Sequence, residues 1–187
     1  GASGNATLVN ATAIDLAASS VNGDLSVTAT TGGISDSGMT LVAGNAILTT
    51  QQIGQSIFLD LLGVNGTIAL QTAFDGDATI VNKTGIDFAT STVGGNLSAT
   101  ATTGGITDSG AVTVGGNADF SSLQSGAEII LNQLMVSGSI SMSTVGASGN
   151  ATLVNATAID LAASSVNGDL SVTATTGGIS DSGMTLV

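Results

Sequence analysis

The sequence of 187 residues contains no cysteine, proline, histidine, tryptophan or tyrosine, and its single basic residue is Lys83. Without cysteine, neither a disulfide framework nor a thiolate metal site can form. Without histidine or cysteine, base or nucleophilic catalysis would depend on carboxylate and hydroxyl groups alone, so we expect no enzymatic activity. The absence of proline and the 42% hydrophobic content argue against intrinsic disorder.

Charge of one sign is almost missing as well. Thirteen acidic residues against one basic residue give a net charge of −12. Nucleic-acid binding draws most of its affinity from lysine and arginine, so we expect no nucleic acid as partner. The strongest apolar stretch, residues 57–64, is interrupted by Asp60 and is far shorter than the roughly 20 residues of a membrane helix, so we expect no membrane insertion.

The chain is rich in repetition. Residues 1–42 return unchanged at 146–187, and residues 4–46 align without a gap with residues 76–118. We divide one continuous segment, 1–187, into repeats 4–75 and 76–148 and a partial copy, 149–187. Self-similarity at a fixed spacing is typical of architectures in which each unit buries its apolar face against its neighbours. Because both ends repeat internal sequence, we expect them to continue into further repeats or to pair with other chains.

Short segments of alternating apolar and polar residues predict strands. They cover residues 5–9, 13–17, 24–30, 39–42, 45–49, 56–61 and 67–71. Glycine pairs and Asn-Gly or Ser-Gly steps separate them and predict corners, including the Ile-Ser/Thr-Asp-Ser-Gly segments. Glycine and β-branched residues recur too often for helices.

The glycines at positions 4, 23, 44 and 66 follow one another at intervals of roughly 20 residues, close to one coil of a parallel β-solenoid, but Gly76 comes after only half such an interval. The short interval leaves two alternatives: three coils of about 24 residues in each 72-residue unit, or seven coils of about 21 residues in 145. An antiparallel sandwich is less compatible with growth by identical units. We therefore predict an all-β, right-handed parallel β-helix of about eight coils, its hand taken from the preference of parallel crossovers. Residues predicted to point inward are Ile14, Leu16, Leu25 and Val27, with their copies Ile86, Phe88, Leu97 and Ala99.

Residues 21–50 and 93–122 share a characteristic pattern, in which a Gly-Asp/Asn-Leu strand leads through Gly-Gly-Ile-Ser/Thr-Asp-Ser-Gly to a second Gly-Asn-Ala strand. This pattern resembles the repeats of filamentous-haemagglutinin-like giant surface proteins of bacteria. The resemblance implies a right-handed parallel β-helix, secretion to the cell surface, and service as a rigid adhesin shaft or spacer. It also implies that a host or cell-surface ligand would be bound by regions outside this chain. The near-perfect 145-residue repetition supports an alternative, a self-assembling extracellular filament or sheath whose partners are further copies of the repeat, in the same chain or end to end.

Aspartates at the corners are the only candidates for a bound ion, because carboxylates and turn carbonyls are calcium ligands. The weak calcium candidates are Asp36, Asp75, Asp77, Asp108 and Asp181. The dense glycine-aspartate nonapeptide of calcium-binding β-rolls and the EF-hand loop are both missing, so we expect no cofactor and interpret most of these aspartates as partners of their own turns.

Two further surface patterns have simple interpretations. Threonine-rich strands such as residues 26–31 could suggest an ice-binding face, but they recur only once in each repeat and are more simply good strand surface. Seven Asn-x-Ser/Thr sequons are expected in part from composition alone, so glycosylation is left open. They lie at Asn5, Asn10, Asn65, Asn82, Asn96, Asn150 and Asn155.

Overall fold

The computed structural model describes residues 4–187, which form β-strands and turns and contain no helix. Consequently no helix in this range is long and apolar enough to cross a membrane. The strands are, in chain order, β1 (Ala6–Asn10), β2 (Ile14–Leu16), β3 (Ser19–Val21), β4 (Leu25–Ala29), β5 (Ile34–Asp36), β6 (Thr40–Val42), β7 (Ala46–Thr50), β8 (Ile57–Val64), β9 (Thr67–Gln71), β10 (Ala78–Asn82), β11 (Ile86–Phe88), β12 (Ser91–Val93), β13 (Leu97–Ala101), β14 (Ile106–Asp108), β15 (Val112–Val114), β16 (Ala118–Ser125), β17 (Ile129–Val136), β18 (Ser139–Val145), β19 (Ala151–Asn155), β20 (Ile159–Leu161), β21 (Ser164–Ser165), β22 (Leu170–Ala174), β23 (Ile179–Asp181) and β24 (Thr185–Leu186).

These strands make two parallel sheets, of eleven and thirteen strands, and the chain passes from one to the other in every coil. The first sheet contains β1, β4, β7, β9, β11, β12, β14, β15, β17, β19 and β22, and the remaining strands form the second. Coil 1 is β1–β3, coil 2 β4–β6, coil 3 β7–β8, coil 4 β9–β10, coil 5 β11–β13, coil 6 β14–β16, coil 7 β17–β18, coil 8 β19–β21 and coil 9 β22–β24. The prediction of a parallel β-solenoid is confirmed, with nine coils where about eight were expected. At about 4.8 Å per coil the rod is roughly 40 Å long.

Successive repeats are related by a half turn of the solenoid. Strand β1 lies in the first sheet, its copy β10, one repeat later, lies in the second, and the next copy, β19, is in the first again. Each repeat therefore advances three and a half coils, and two repeats complete seven coils of about 21 residues. The structure thus decides between the two coil counts that the glycine spacing left open.

The core is aliphatic and continuous along the axis. All eight residues predicted to point inward are buried, from Ile14 at 7% exposed to Val27, Phe88 and Ala99 at 0%. Alternation of side chains along each strand places every second residue in this core. Because like residues stack in register from coil to coil, the burial is repeated along the whole rod.

One part of the sequence prediction was wrong. The Ile-Ser/Thr-Asp-Ser-Gly segments, predicted as corners, begin with the short strands β5, β14 and β23. Their first residue is an isoleucine at an inward-facing position: Ile34 and Ile106 are 1% and 0% exposed. Three residues give too short an alternation to stand out from a turn in the sequence, and it is pairing with the neighbouring coils that makes these segments strands.

Candidate functional site

The most regular polar feature is a ladder of side chains at the Gly-Asn/Asp corner, where the chain enters the five-residue strands. The Oδ1 atom of Asn5 accepts a hydrogen bond from the backbone N–H of Asp24 in the next coil, at 2.8 Å. Asp24 accepts in the same way from Asn45 at 2.8 Å, and Asn45 accepts from Thr67 at 2.9 Å. Each corner residue therefore accepts a hydrogen bond from a backbone N–H of the coil that follows it. That N–H would otherwise be unpaired, because the corner lies outside the paired strands.

The same ladder is built again on the second sheet and then once more on the first. Asp77 accepts from the N–H of Asn96 at 2.7 Å, Asn96 from Asn117 at 2.9 Å, and Asn117 from Ser139 at 2.9 Å. In the third copy, Asn150 accepts from Asp169 at 2.8 Å. Thr67 and Ser139, which have no carboxamide or carboxylate, occupy the last position in the first two ladders.

The glycine before each ladder residue is required by the close approach of the coils. A Cβ atom on Gly44 would overlap Oδ1 of Asp24, and one on Gly116 would lie 2.5 Å from Oδ1 of Asn96. This contact explains the glycine spacing seen in the sequence. The short interval from Gly66 to Gly76 is the half coil by which the ladder moves to the other sheet.

Asp36 and Asp108 occupy equivalent places and each holds the strand of the coil that follows. The Asp36 carboxylate accepts from the consecutive N–H groups of Asp60 and Leu61, at 3.1 and 2.9 Å. Asp108 accepts from Asn132 and Gln133 at 2.9 and 2.7 Å. Burial raises the pKa of both carboxyls, and these backbone hydrogen bonds oppose that rise.

The five aspartates considered for calcium do not converge. Asp36 lies on the second sheet and Asp108 on the first, three and a half coils apart, and Asp77 belongs to a corner ladder. Asp75 is exposed in the turn before β10, and Asp181 is exposed on the last coil. Residues 4–187 contain no group of three or more acidic side chains placed to hold a metal ion. Asp36, Asp77 and Asp108 accept hydrogen bonds from backbone N–H groups of the following coil, so the interpretation of these aspartates as partners of their own turns was wrong for these three.

A family model matches three successive parts of the chain, residues 3–73, 75–146 and 148–187. The chain belongs to the family of repeats of unknown function DUF5649. The matched ranges meet next to Gly76 and Gly149, where the corner ladder changes sheets. Each of the first two DUF5649 repeats therefore spans three and a half coils, and the third match, residues 148–187, covers the last two coils. Comparison with the curated proteins and with the solved structures gave no significant match.

The DUF5649 repeat also places an asparagine inside the core, which sequence reasoning missed. Asn82 and Asn155 are 0% exposed. Asn155 accepts from the N–H of Val136 at 2.8 Å and donates to the carbonyl of Val136 at 3.1 Å and of Ala158 at 3.0 Å. The alternation Ala-x-Ile/Leu-x-Asn would have revealed it, because the asparagine continues the inward-facing positions of its strand.

These contacts bear on the seven sequons of the DUF5649 repeats. The side chains of Asn82 and Asn155 are enclosed, so no oligosaccharide can be attached to them in the folded rod. Those of Asn5, Asn96 and Asn150 are engaged in the corner ladder through Oδ1. The sequon pattern at these five positions therefore has a structural explanation in side-chain hydrogen bonds.

Proposed function

We propose that this chain is a structural segment of a longer bacterial surface protein, in which it acts as a rigid shaft or spacer. The observation that carries the proposal is the half turn between repeats: each repeat ends at a corner from which the next repeat begins on the opposite sheet, so repeats add without a break in the sheets or the core. A fold of this kind grows in length at constant width, which suits a spacer.

The use of the polar side chains supports the same proposal. In an enzyme, a few polar groups converge at one place where the regular pattern is broken. Here Asp24, Asp36, Asp77 and Asp108 each accept hydrogen bonds from the backbone of the following coil, and their positions recur with the repeat, occupied by aspartate or asparagine. We infer that the chain is not an enzyme and takes no cofactor, and that its chemistry serves stacking.

The cellular setting follows from the resemblance to filamentous-haemagglutinin-like repeats. We infer that the parent protein is secreted and displayed at the bacterial surface, and that ligands are bound by other regions. The abundant Ser, Thr and Asn side chains and the charge of −12 suit a hydrated extracellular shaft. Surface labelling of intact cells with an antibody against this segment tests the location: labelling only after lysis would refute it.

The rod itself is tested by lengthening it. Because residues 146–187 repeat 1–42, a copy of residues 43–187 can be appended in register after residue 187. Each added copy should lengthen the particle by seven coils, about 34 Å, with no change in its cross-section, as measured by small-angle scattering and electron microscopy. Growth in width, or loss of parallel β signal in the longer chains, would refute the shaft.

A self-assembling filament is the second candidate, and the unchanged return of residues 1–42 at 146–187 favours it. Repeats of one sequence can stack by the same parallel strand pairing whether they belong to one chain or to several. Electron microscopy of native material tests this candidate, since ordered fibres with an axial repeat of about 34 Å would support it and isolated shafts would not.

A further inference from the structure

Phe74 displays its aromatic ring in solvent from a backbone conformation that suits glycine. Its φ is +52°, and within residues 4–187 it is the one non-glycine residue in the left-handed region. The side chain is 79% exposed. A bulky residue in this region is strained, and such strain collects at functional positions. Because the exposed ring adds nothing to the core, its contribution must lie in a contact with another molecule.

The second repeat has glycine at the place of Phe74. Thr72 and Thr144 mark equivalent positions, because the hydroxyl of each donates to the carbonyl of the glycine that closes its corner, at 2.6 Å. Two residues further along, Phe74 corresponds to Gly146, whose φ is +81°. The corner can therefore be built with glycine, so the phenylalanine is a departure from the repeat and not a requirement of the fold.

Ile53 and Phe74 form one apolar projection at this corner. Each is the second residue of a tight turn, 52–55 and 73–76, closed by a backbone hydrogen bond of 3.3 and 3.1 Å. The strands that follow, β8 and β10, are paired from their first residues, so Ile53 and Phe74 occupy the same place in coils 3 and 4. Ile53 is 61% exposed. With the exposed carboxylate of Asp75, these two side chains make up what we call the corner knob.

A groove that contains the single basic residue lies at the opposite end of β10. Lys83 follows β10 directly and is exposed. Leu41 of coil 2 is paired with Gly63 of coil 3 and is 42% exposed. A Cβ atom on Gly63 would lie 2.7 Å from Cδ2 of Leu41 and 3.8 Å from Cβ of Lys83, so these two side chains flank the glycine. The three residues, which we call the lysine groove, offer an apolar surface beside an ammonium group.

The second repeat lacks both the knob and the groove. Coils 2, 3 and 4, which carry them, each have a neighbouring coil on both sides, so these exposures belong to the flank of the rod. A knob and a groove that depart from the repeat together suit a function that the stacking of coils does not need. The equivalent residues are Ser125 and Gly146 for Ile53 and Phe74, and Thr113, Met135 and Ala156 for Leu41, Gly63 and Lys83.

Charge determines which partner fits the groove. The chain has a net charge of −12, so a contact between two copies is opposed by repulsion except where a carboxylate meets the one basic side chain, Lys83. Asp75 follows Phe74 directly in the corner knob and supplies such a carboxylate. The knob thus combines an apolar surface with a negative charge, and the groove combines an apolar surface with a positive charge.

From this complementarity we propose that the lysine groove of one copy of the chain binds the corner knob of a second copy. The ring of Phe74 packs on Leu41. The carboxylate of Asp75 binds the ammonium group of Lys83. Knob and groove lie at opposite ends of β10, so each contact joins two different surfaces. The inference goes beyond the proposed shaft, which concerns length, because it holds rods side by side.

The test is cross-linking of the intact chain with a carbodiimide, which joins a carboxylate directly to an amine as an amide. Lys83 is the only side-chain amine, so a cross-link from it reports on the lysine groove. Ordinary and isotope-labelled chains are mixed in equal amounts, and peptides of mixed mass identify cross-links between copies. Phe74→Gly and Lys83→Ala introduce the residues of the second repeat, so both variants should keep their melting temperature. Ile47→Ser, at an exposed position of the first sheet, is the control.

We expect cross-links of mixed mass between Asp75 and Lys83 in the natural chain and in Ile47→Ser, and about tenfold fewer in Phe74→Gly, because an aromatic anchor contributes much of the binding energy of a contact. Mixing Phe74→Gly with Lys83→Ala should restore them, since the first variant keeps the groove and the second keeps the knob. Absence of these cross-links in the natural chain, an equal yield in Phe74→Gly, or no restoration in the mixture would overturn the proposal. None of these results would change the length of the lengthened rods, so the shaft and the lateral contact can fail separately.

Discussion

Asn82 binds both polar groups of the Val64 backbone from inside the core. Its Oδ1 accepts from the Val64 N–H at 2.8 Å, and its Nδ2 donates to the Val64 carbonyl at 3.0 Å and to the carbonyl of Gly85 at 2.7 Å. Val64 is the last residue of β8, where strand pairing ends. The asparagine thus takes the place of a strand at a point where the backbone turns inside the apolar core.

Replacing Asn82 with alanine should therefore destabilise the fold strongly. The change leaves the buried N–H of Val64 without its side-chain acceptor and removes one donor from the carbonyls of Val64 and Gly85, although the Thr84 hydroxyl still donates to the Val64 carbonyl at 2.6 Å. We expect a loss of about 2 to 3 kcal/mol in the free energy of unfolding. Asn10 provides the matched control, because it occupies the same place in coil 1 but is exposed, and within residues 4–187 its side chain binds only Thr12 and Ala13 of its own turn. Denaturant unfolding should show a loss below about 1 kcal/mol for Asn10→Ala. Equal losses would show that the contacts to Val64 are unimportant.

A second pair of variants tests the close approach of the coils at glycine. Gly33 and Gly178 have the same sequence neighbours, but a Cβ atom on Gly33 would lie 2.7 Å from the backbone carbonyl oxygen of Ser56, whereas one on Gly178 would have nothing within 4 Å. We expect Gly33→Ala to cost about 2 kcal/mol, since backbone on both sides must shift, and Gly178→Ala to be neutral within about 0.5 kcal/mol. Thermal unfolding of both variants measures the difference, and similar melting temperatures would contradict it.

The fold could be predicted from the sequence because its strongest signals are repeated. Alternation of apolar residues identified most strands, and the glycine spacing indicated the length of a coil. What the spacing could not reveal was the half turn between repeats. The interval from Gly66 to Gly76 is also compatible with a coil of different length, and only strand pairing shows that β10 lies on the sheet opposite to β1.

The polar positions were harder to interpret, because the same residue types serve several purposes. An aspartate bonded to its own turn and one bonded to the next coil can have the same sequence neighbours. Asp36, for example, accepts hydrogen bonds from Asp60 and Leu61, which follow it by 24 and 25 residues. Asn82 was noticed only as a sequon, because polar residues are expected outside. In each case the decisive contact lies one coil away in the sequence.

Thr40 offers a substitution that should stabilise the chain. Its Oγ1 atom is buried without a hydrogen-bond partner among the described residues, and Val112 occupies the equivalent place one repeat later. Thr40→Val removes the desolvated hydroxyl and keeps the shape, so we expect a gain of about 1 kcal/mol in unfolding free energy, measured by denaturant titration. The reverse change, Val112→Thr, should cost a similar amount. A loss of stability in Thr40→Val would show that the hydroxyl has a partner.

The dependence of stability on pH should follow from Asp36 and Asp108. Burial raises the pKa of both carboxyls above 3.8 in the folded chain, with a further contribution from the neighbouring carboxylates Asp60 and Asp87. In the pH range just above 3.8 the folded state therefore binds more protons than the unfolded state, and unfolding free energy rises as the pH falls through that range. At pH values well below this range both states are protonated and the contribution is constant.

The control for this prediction is the double variant Asp36→Asn, Asp108→Asn, which cannot titrate at these positions. General repulsion among acidic groups also weakens on acidification, but it acts on both proteins, so the difference between them isolates the two aspartates. Unfolding free energies measured between about pH 3 and pH 7 should rise more steeply on acidification for the natural chain than for the variant. If the natural chain instead loses stability relative to the variant as the pH falls, the backbone hydrogen bonds to the two carboxylates outweigh their burial, and the predicted direction is wrong.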